Sequence, residues 1–386
     1  MPGTHDHLVQ QAADLAPLLR STARKAELAR QPLDEVINAV RNTDILGMMA
    51  PKRYGGLEMD LDTFFDVVLE LSMADASMGW LIGFYIEHNF WFCHYPQHVQ
   101  DAVYGNSNYA LAPATLNIAG GSAEKVDGGY KLNGRWQWGT GIVHATWVMV
   151  GALVHEAEGQ IVPKFFLIPR DQVTAIDNWH ISGMCATGSQ DIAVEDVFVS
   201  EDYAQSFMDM LNATTGITEM YDAPIYKTPM LQLLCFAAAV PILGAAKMAL
   251  EEFRRQTIPK FKTGDASGRN PTGKYLPTAE AAMTIEAAEL LMRSTMSDLM
   301  AHRVGATMEM RGAWSAKISH AVFMCREAVQ SICMNAGASG HFLDNPIQRA
   351  SRDISAATCH VVFDKNTRYG DYGAILFEQP VTSVLL

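Results

Sequence analysis

Read from its residues alone, the chain is an α+β protein in which a helical segment, a β segment and a second helical segment follow one another. Three observations predict this. Apolar residues recur at helical spacing over residues 1–108, alternate or run together as strands do over 109–205, and return to long helical stretches over 206–386. The middle segment is expected to close as a small β-barrel or sandwich, and the last to form a four-helix bundle.

The first segment opens with Leu8, Ala12, Leu15, Leu18 and Leu19 on one stripe, then Val36, Ile37 and Val40 in a helix begun by Pro32. Leu61 to Asp75 reads as an amphipathic helix. Beyond it, Trp80, Phe84 and His88 fall at i, i+4 and i+8, on one helical face. A lone histidine on such a face is usually a hydrogen-bonded core residue. His94 and His98 are also four apart, but Pro96 separates them and no carboxylate completes a metal set.

In the β segment, Tyr109 to Thr115 is a short apolar run, Gly120-Gly121 and Asp127-Gly128-Gly129 punctuate, and Tyr130 to Gly134 looks like a hairpin. Trp147 to Val154, Ile161 to Ile168 and Ile192 to Val199 read as strands. The run Arg135-Trp136-Gln137-Trp138-Gly139-Thr140-Gly141 sets aromatic and hydroxyl side chains together, by itself an ordinary sheet pattern.

The third segment holds the most apolar window, Met230 to Leu250, long enough to suggest a membrane span. Gln232, Pro241 and Lys247, with Glu251 and Glu252 just after, make it a buried bundle helix instead. Pro277 to His302 and Met308 to Gln330 are long amphipathic helices. Gly268 to Lys274 nearly spells a phosphate-binding loop, but Tyr275 stands where a Ser or Thr must hold magnesium, so a polar surface loop is expected. From Gln330 to His360 a helix end leads through a small-residue turn (Asn335 to Gly340) into a second helix after Pro346, carrying Arg349, Arg352, Asp353 and His360. Such a stretch also fits a plain corner with a solvated charged face. The tail from Arg368 to Gly373 has turn chemistry.

Composition narrows the class. With 49% apolar and 18% charged residues the chain is a well-buried globular protein, and a net charge of −13 without any basic block argues against nucleic-acid binding. The six cysteines form no CxxC pair or disulfide framework, and the N-terminus has no signal-peptide pattern; a cytoplasmic enzyme with reduced thiols is expected. No metal motif occurs. Twenty-one methionines suit adaptable packing around a bulky ligand, though most serve as core.

The pattern AGASG-x5-P-x-QR-x-x-RD, over Ala336 to Asp353, resembles the C-terminal segment of the acyl-CoA dehydrogenase superfamily. Its nearest likeness is the branch of two-component flavin-dependent monooxygenases, such as hydroxyphenylacetate and secosteroid hydroxylases and dibenzothiophene monooxygenases. The likeness covers most of the chain: the run from Gly47 to Leu57 resembles the family's early turn between two helices, and the helix–β–helix order is that superfamily's architecture. It implies an oxygenase component that takes reduced flavin, FMN first and FAD second, from a separate NAD(P)H:flavin reductase. With O2 it would form a C4a-hydroperoxyflavin and hydroxylate a small, aromatic or polycyclic substrate. The chain has no nicotinamide-binding GxGxxG of its own.

The resemblance also implies roles. Trp138 and Thr140 would contact the flavin face and N5, and Gly337, Ala338, Ser339 and Gly340 would lie against the flavin, reaching a neighbour's cofactor in a homotetramer. Lys260, with Lys262 nearby, would stand near the flavin phosphates. Trp80, His88 and Thr115 would line the substrate, Thr187 to Ser189 would border its entrance, and the acidic residues around them would face solvent. His360, His88 and Thr140 would serve catalysis, His360 as acid/base. Many dehydrogenases place a catalytic Glu one residue after the position of His360, where this chain has Val361. That speaks against the alternative of an acyl-CoA dehydrogenase or oxidase with bound FAD. Oxygenation of nitrogen or sulfur, and a non-catalytic helical interaction protein, remain as further alternatives.

Overall fold

Five helices lead the chain: α1 (His5–Ala29), α2 (Asp34–Arg41), α3 (Leu61–Ala74), α4 (Ala76–Phe92) and α5 (Gln97–Tyr104). They come from a computed structural model, which describes residues 3–105, 107–155, 160–263, 271–381 and 383. Thr4, Asp60 and Asp75 cap α1, α3 and α4 by accepting from backbone N–H groups of the first turn. Pro32 does not open α2; Leu33 is its N-cap, so the proline ends the preceding turn. The turn expected from Gly47 is present as short 310 turns at Ile45–Gly47 and Lys52–Tyr54.

Among the described residues eight strands follow: β1 (Ala114–Thr115), β2 (Gly121–Val126), β3 (Gly129–Gly139), β4 (Trp147–His155), β5 (Ile161–Pro169), β6 (Thr174–Ile176), β7 (Gln190–Ser200) and β8 (Ala204–Ser206). They form one sheet in the order β6-β7-β3-β2-β4-β5-β8, with β1 alongside β4. The β2–β3 hairpin turns at Asp127-Gly128, where Gly128 has φ 75°. The hairpin expected at Tyr130 to Gly134 is therefore misplaced. Those residues lie within β3, because the positive-φ glycine makes the tight turn one step earlier. Alternation does the rest: Val148, Val150, Phe166 and Ile168 face the sheet's own core with Tyr130 and Trp136. Met149, Phe165 and Leu167, one residue out of phase, face the helices.

The chain then returns to helix as α6 (Phe207–Leu211), α7 (Ile217–Met220), α8 (Met230–Thr263), α9 (Tyr275–His302), α10 (Met308–Ala336), α11 (Pro346–Ala357) and α12 (Lys365–Leu376). α10 packs on α8, α9, α11 and α12. The tail is thus helix rather than turn: Asp364 caps α12, and Arg368 is buried and donates to the Val362 carbonyl. α8 is long and apolar enough to cross a membrane, yet its apolar window is mostly buried among the other helices. Residues 264–270, including the start of the Gly268 loop, and the side chain of Lys262 lie outside the described part.

Helices from both ends of the chain share one hydrophobic core. α4 runs through it with every residue buried, as a helix apolar on all sides must. Close approach depends on small residues: a Cβ on Gly79 would lie 1.9 Å from the Ser72 hydroxyl of α3, and one on Gly244 of α8 would lie 2.4 Å from Ser72 Cβ.

Candidate active site

α4 is the wall to which three other segments are tied. Along one face it presents Trp80, Phe84 and His88, with ring centroids 4.9 Å (Trp80–Phe84) and 5.5 Å (Phe84–His88) apart. His88 is buried, and its Nδ1–H donates to the Ala112 carbonyl at 2.6 Å, because a carbonyl can only accept. In the neutral ring Nε2 is then an acceptor. Burial pushes the His88 pKa down to about 4, so that ring is neutral at pH 7. Beside it Glu87 is fully buried: Oε1 accepts from Trp91 Nε1–H at 2.5 Å, and Oε2 stands 3.5 Å from His88 Nε2. Burial lifts the Glu87 pKa to about 8.

His360 arrives from the opposite side. α11 ends at Ala357, so the helix does not reach His360 as the spacing predicts; the histidine lies in the following turn. Its Nδ1 accepts from Val362 N–H at 3.4 Å, which leaves the neutral ring's proton on Nε2. The ring packs between Trp80 (5.6 Å), Phe84 (6.2 Å) and Phe363 (6.3 Å), and burial lowers its pKa to about 4. One histidine therefore offers a lone pair and the other an N–H.

The loop before β1 is zipped along α4. Asn89 accepts from Ala110 N–H (3.0 Å) and donates to the Ala110 carbonyl (3.2 Å), and the His88–Ala112 bond follows. Three residues on, Thr115 is buried, with no partner for its hydroxyl among the described residues. An unpaired buried hydroxyl costs about 1–3 kcal/mol, so it fits a position that meets a ligand oxygen.

The end of β3 is the third tied segment. A bulge between Trp136 and Gly139 throws Trp138 to φ 71° and leaves its indole 61% exposed. Tyr85 of α4 donates to the Gly141 carbonyl at 2.5 Å, and Gly141 itself has φ 75° with no room for a Cβ beside Tyr85. Between them Thr140 Oγ1 lies 3.0 Å from Ser189 Oγ. Thr187 and Ser189 do not border an entrance as expected: they are buried behind Thr140, because Ser189 bonds Thr140 on one side and Thr187 on the other. Asp191 likewise faces inward, paired with Arg135.

Residues 235–365 match the family described as Acyl-CoA dehydrogenase, C-terminal domain. Over 99% of both chains the sequence is 32% identical to a pigment production hydroxylase of Rhodococcus sp. (strain ATCC 21145). It is 30% identical, over 92% of this chain and 90% of the other, to the oxygenase component of an FADH2-dependent resorcinol hydroxylase of Rhizobium sp. (strain MTP-10005). Among solved structures, 3-HSA hydroxylase from Rhodococcus sp. RHA1 superposes with TM-score 0.94 at 28% identity, covering 99% of this chain and 100% of that one. The chain belongs to the flavin-dependent monooxygenases of acyl-CoA dehydrogenase fold, as an oxygenase component.

The oxygenase has residues that fit a reduced flavin: an exposed indole held at a strand end, and a threonine hydroxyl beside it backed by buried hydroxyls. The other residues expected at the flavin belong to the third segment. Gly337, with φ 69°, ends α10, and Ala338–His341 is a 310 turn in the α10–α11 corner, where Ser339 bonds the Ala336 carbonyl and Asn345 bonds the Ser339 carbonyl. Lys260 is exposed near the end of α8. Arg352 and Asp353 are not a solvated face. Asp353 is buried and accepts from Met184 N–H at 2.5 Å, while Arg352 pairs with Glu27 of α1 at 2.5 Å and donates to the Ser182 carbonyl. Sequence reading passed over Glu87, Tyr85 and Asn89. The only signal was their placement on α4, next to the stripe that drew attention.

Proposed function

We propose that this oxygenase receives FMNH2, ahead of FADH2, from a separate NAD(P)H:flavin reductase in the cytoplasm and uses O2 to hydroxylate a small phenolic substrate. One observation carries the reading: His360, the Thr140 strand end and the Thr115 loop are all tied to α4 around His88. The similarity to a resorcinol hydroxylase supports an aromatic substrate, and the FADH2 of that relative is the competing flavin.

Bound reduced flavin supplies the electrons that activate O2. With the flavin bound, Trp138 would cover its ring and Thr140 would hold N5. His88 Nε2, as acceptor, takes the phenol proton, and the Thr115 hydroxyl holds the phenol oxygen. His360 Nε2–H donates into the same space, while Trp80 and Phe84 bracket the substrate and keep water out. Lys260 would stand near the flavin phosphates, and Gly337 to Gly340 would reach a neighbouring subunit's flavin in a homotetramer.

The test is turnover with a flavin reductase, NADH and labelled dioxygen over a panel of phenols, an indole and a thioether. Label appearing in a ring hydroxyl supports the proposal. Label on sulfur would move the substrate class, and reduction of a bound FAD by an acyl-CoA without oxygen incorporation would overturn it.

A further inference from the structure

Three buried or half-buried hydroxyls stand in line behind the strand end. Thr187 Oγ1 lies 2.9 Å from the Met184 carbonyl oxygen and 2.8 Å from Ser189 Oγ, which lies 3.0 Å from Thr140 Oγ1. Each hydroxyl has one hydrogen, and a carbonyl has none to give. Thr187 must therefore donate to Met184, which makes it the acceptor for Ser189. Ser189, its hydrogen spent there, accepts from Thr140. Any other arrangement sets two lone pairs face to face at hydrogen-bond distance. The line is held rigidly: Gly141 N–H donates to the Thr187 carbonyl at 3.1 Å, Thr187 N–H donates to the Met184 carbonyl at 3.2 Å, and Gly139 pairs with Gln190 across β3 and β7. Thr187 and Ser189 are 1% and 3% exposed, so bulk water does not compete for these bonds.

The consequence is that Thr140 turns only lone pairs outward. We propose that Thr187 and Ser189 are positioning residues that make the site select reduced over oxidised flavin, by fixing the Thr140 hydroxyl as an acceptor. Reduced flavin carries N5–H, which this oxygen accepts. Oxidised flavin presents a lone pair at N5, which it opposes. The inference rests on the reading that Thr140 faces N5, and it explains how an oxygenase fed by a separate reductase takes the reduced cofactor and lets the oxidised one leave.

The experiment is equilibrium binding of FMN and, anaerobically, FMNH2 (with FAD and FADH2 in parallel) to the whole protein. The ratio of the two dissociation constants is the readout. Ser189→Ala frees the Thr140 hydrogen, and Thr187→Val frees that of Ser189 to point at Thr140. Each is expected to cut the preference for reduced flavin about tenfold, the size of one neutral hydrogen bond. For a two-electron couple that lowers the bound midpoint potential by about 30 mV. Thr187→Ser keeps the line and should keep the ratio. If Thr140→Val alters the ratio but neither Ser189→Ala nor Thr187→Val does, the relay is wrong and the placement of Thr140 stands. If Thr140→Val also leaves it unchanged, Thr140 does not face N5 and the underlying reading fails.

Discussion

His88 and His360 differ in what their backbone neighbours demand: a carbonyl fixes a proton on Nδ1 of the first, and an N–H removes it from Nδ1 of the second. Their tasks are therefore not interchangeable. His88→Gln is expected to lower the rate of hydroxylation by about 100-fold, within the range of general base catalysis, with flavin affinity unchanged. His360→Ala should instead divert oxygen to hydrogen peroxide; product formed per oxygen consumed is the measurement, and unchanged coupling would remove His360 from the mechanism. Glu87 adds a pH signature. Its pKa rises from 4.5 to about 8 on folding, so the folded chain binds the proton more tightly than the unfolded one. Its contribution is full below pH 4.5 and is lost as pH rises toward 8, at up to ~1.4 kcal/mol per pH unit. The two histidines act oppositely: with pKa values lowered from 6.5 to about 4, they cost stability as pH falls from 6.5 toward 4. Glu87→Gln should flatten urea-measured stability between pH 6.5 and 8; an unchanged slope there would show that Glu87 does not hold the proton.

At the scale of elements, what matters is how the strand end and α11 are fastened. Gly141→Ala would place a Cβ 2.2 Å from the Tyr85 hydroxyl in a left-handed conformation, displacing Trp138 and Thr140 together. It should weaken flavin binding by at least tenfold while the fold survives, which near-ultraviolet dichroism and a flavin titration would report; unaltered binding would detach this strand end from the cofactor. Asp353→Ala leaves the buried Met184 N–H without its acceptor and should cost about 1–3 kcal/mol, with Asp353→Asn losing less, both read by urea denaturation. The elements themselves were largely legible. Helical stripes marked α1, α3 and α4, and alternation marked β4, β5 and β7, because each buries one face and periodicity records that. The end of α11, the course of α12 and the turn at Asp127-Gly128 were read less well, since local glycines and caps compete there with tertiary packing. At the site, single side chains whose type suggests chemistry, such as His88 and Trp138, stood out. The partners that orient them did not: Ser189, Glu87 and Tyr85 acquire their meaning only from the atoms they meet across the fold.

Over the whole molecule, the Gly337 to Gly340 turn is held by bonds to α10, to Asn345 at the start of α11 and, through Asn345, to Gln256 of α8. Several large apolar side chains stand exposed around the corner. Met334 is 79% exposed and Phe342 70%, and Lys274 donates to the Asn335 carbonyl, bringing the exposed Tyr275 and Leu276 at the start of α9 beside them. Phe261 of α8 stacks on Tyr275 at 5.5 Å, extending the patch toward Lys260. Monomeric proteins seldom leave so many large apolar side chains open close together. A homotetramer would cover them and carry the Gly337 to Gly340 turn to a neighbour's flavin, so assembly and cofactor affinity should fail together. Leu276→Asp combined with Phe342→Asp is expected to yield a smaller species by light scattering after gel filtration, with FMNH2 bound at least tenfold more weakly. A variant that dissociates yet binds flavin as before would place the whole cofactor site within one chain, and a wild-type protein that runs as a monomer would remove the tetramer outright.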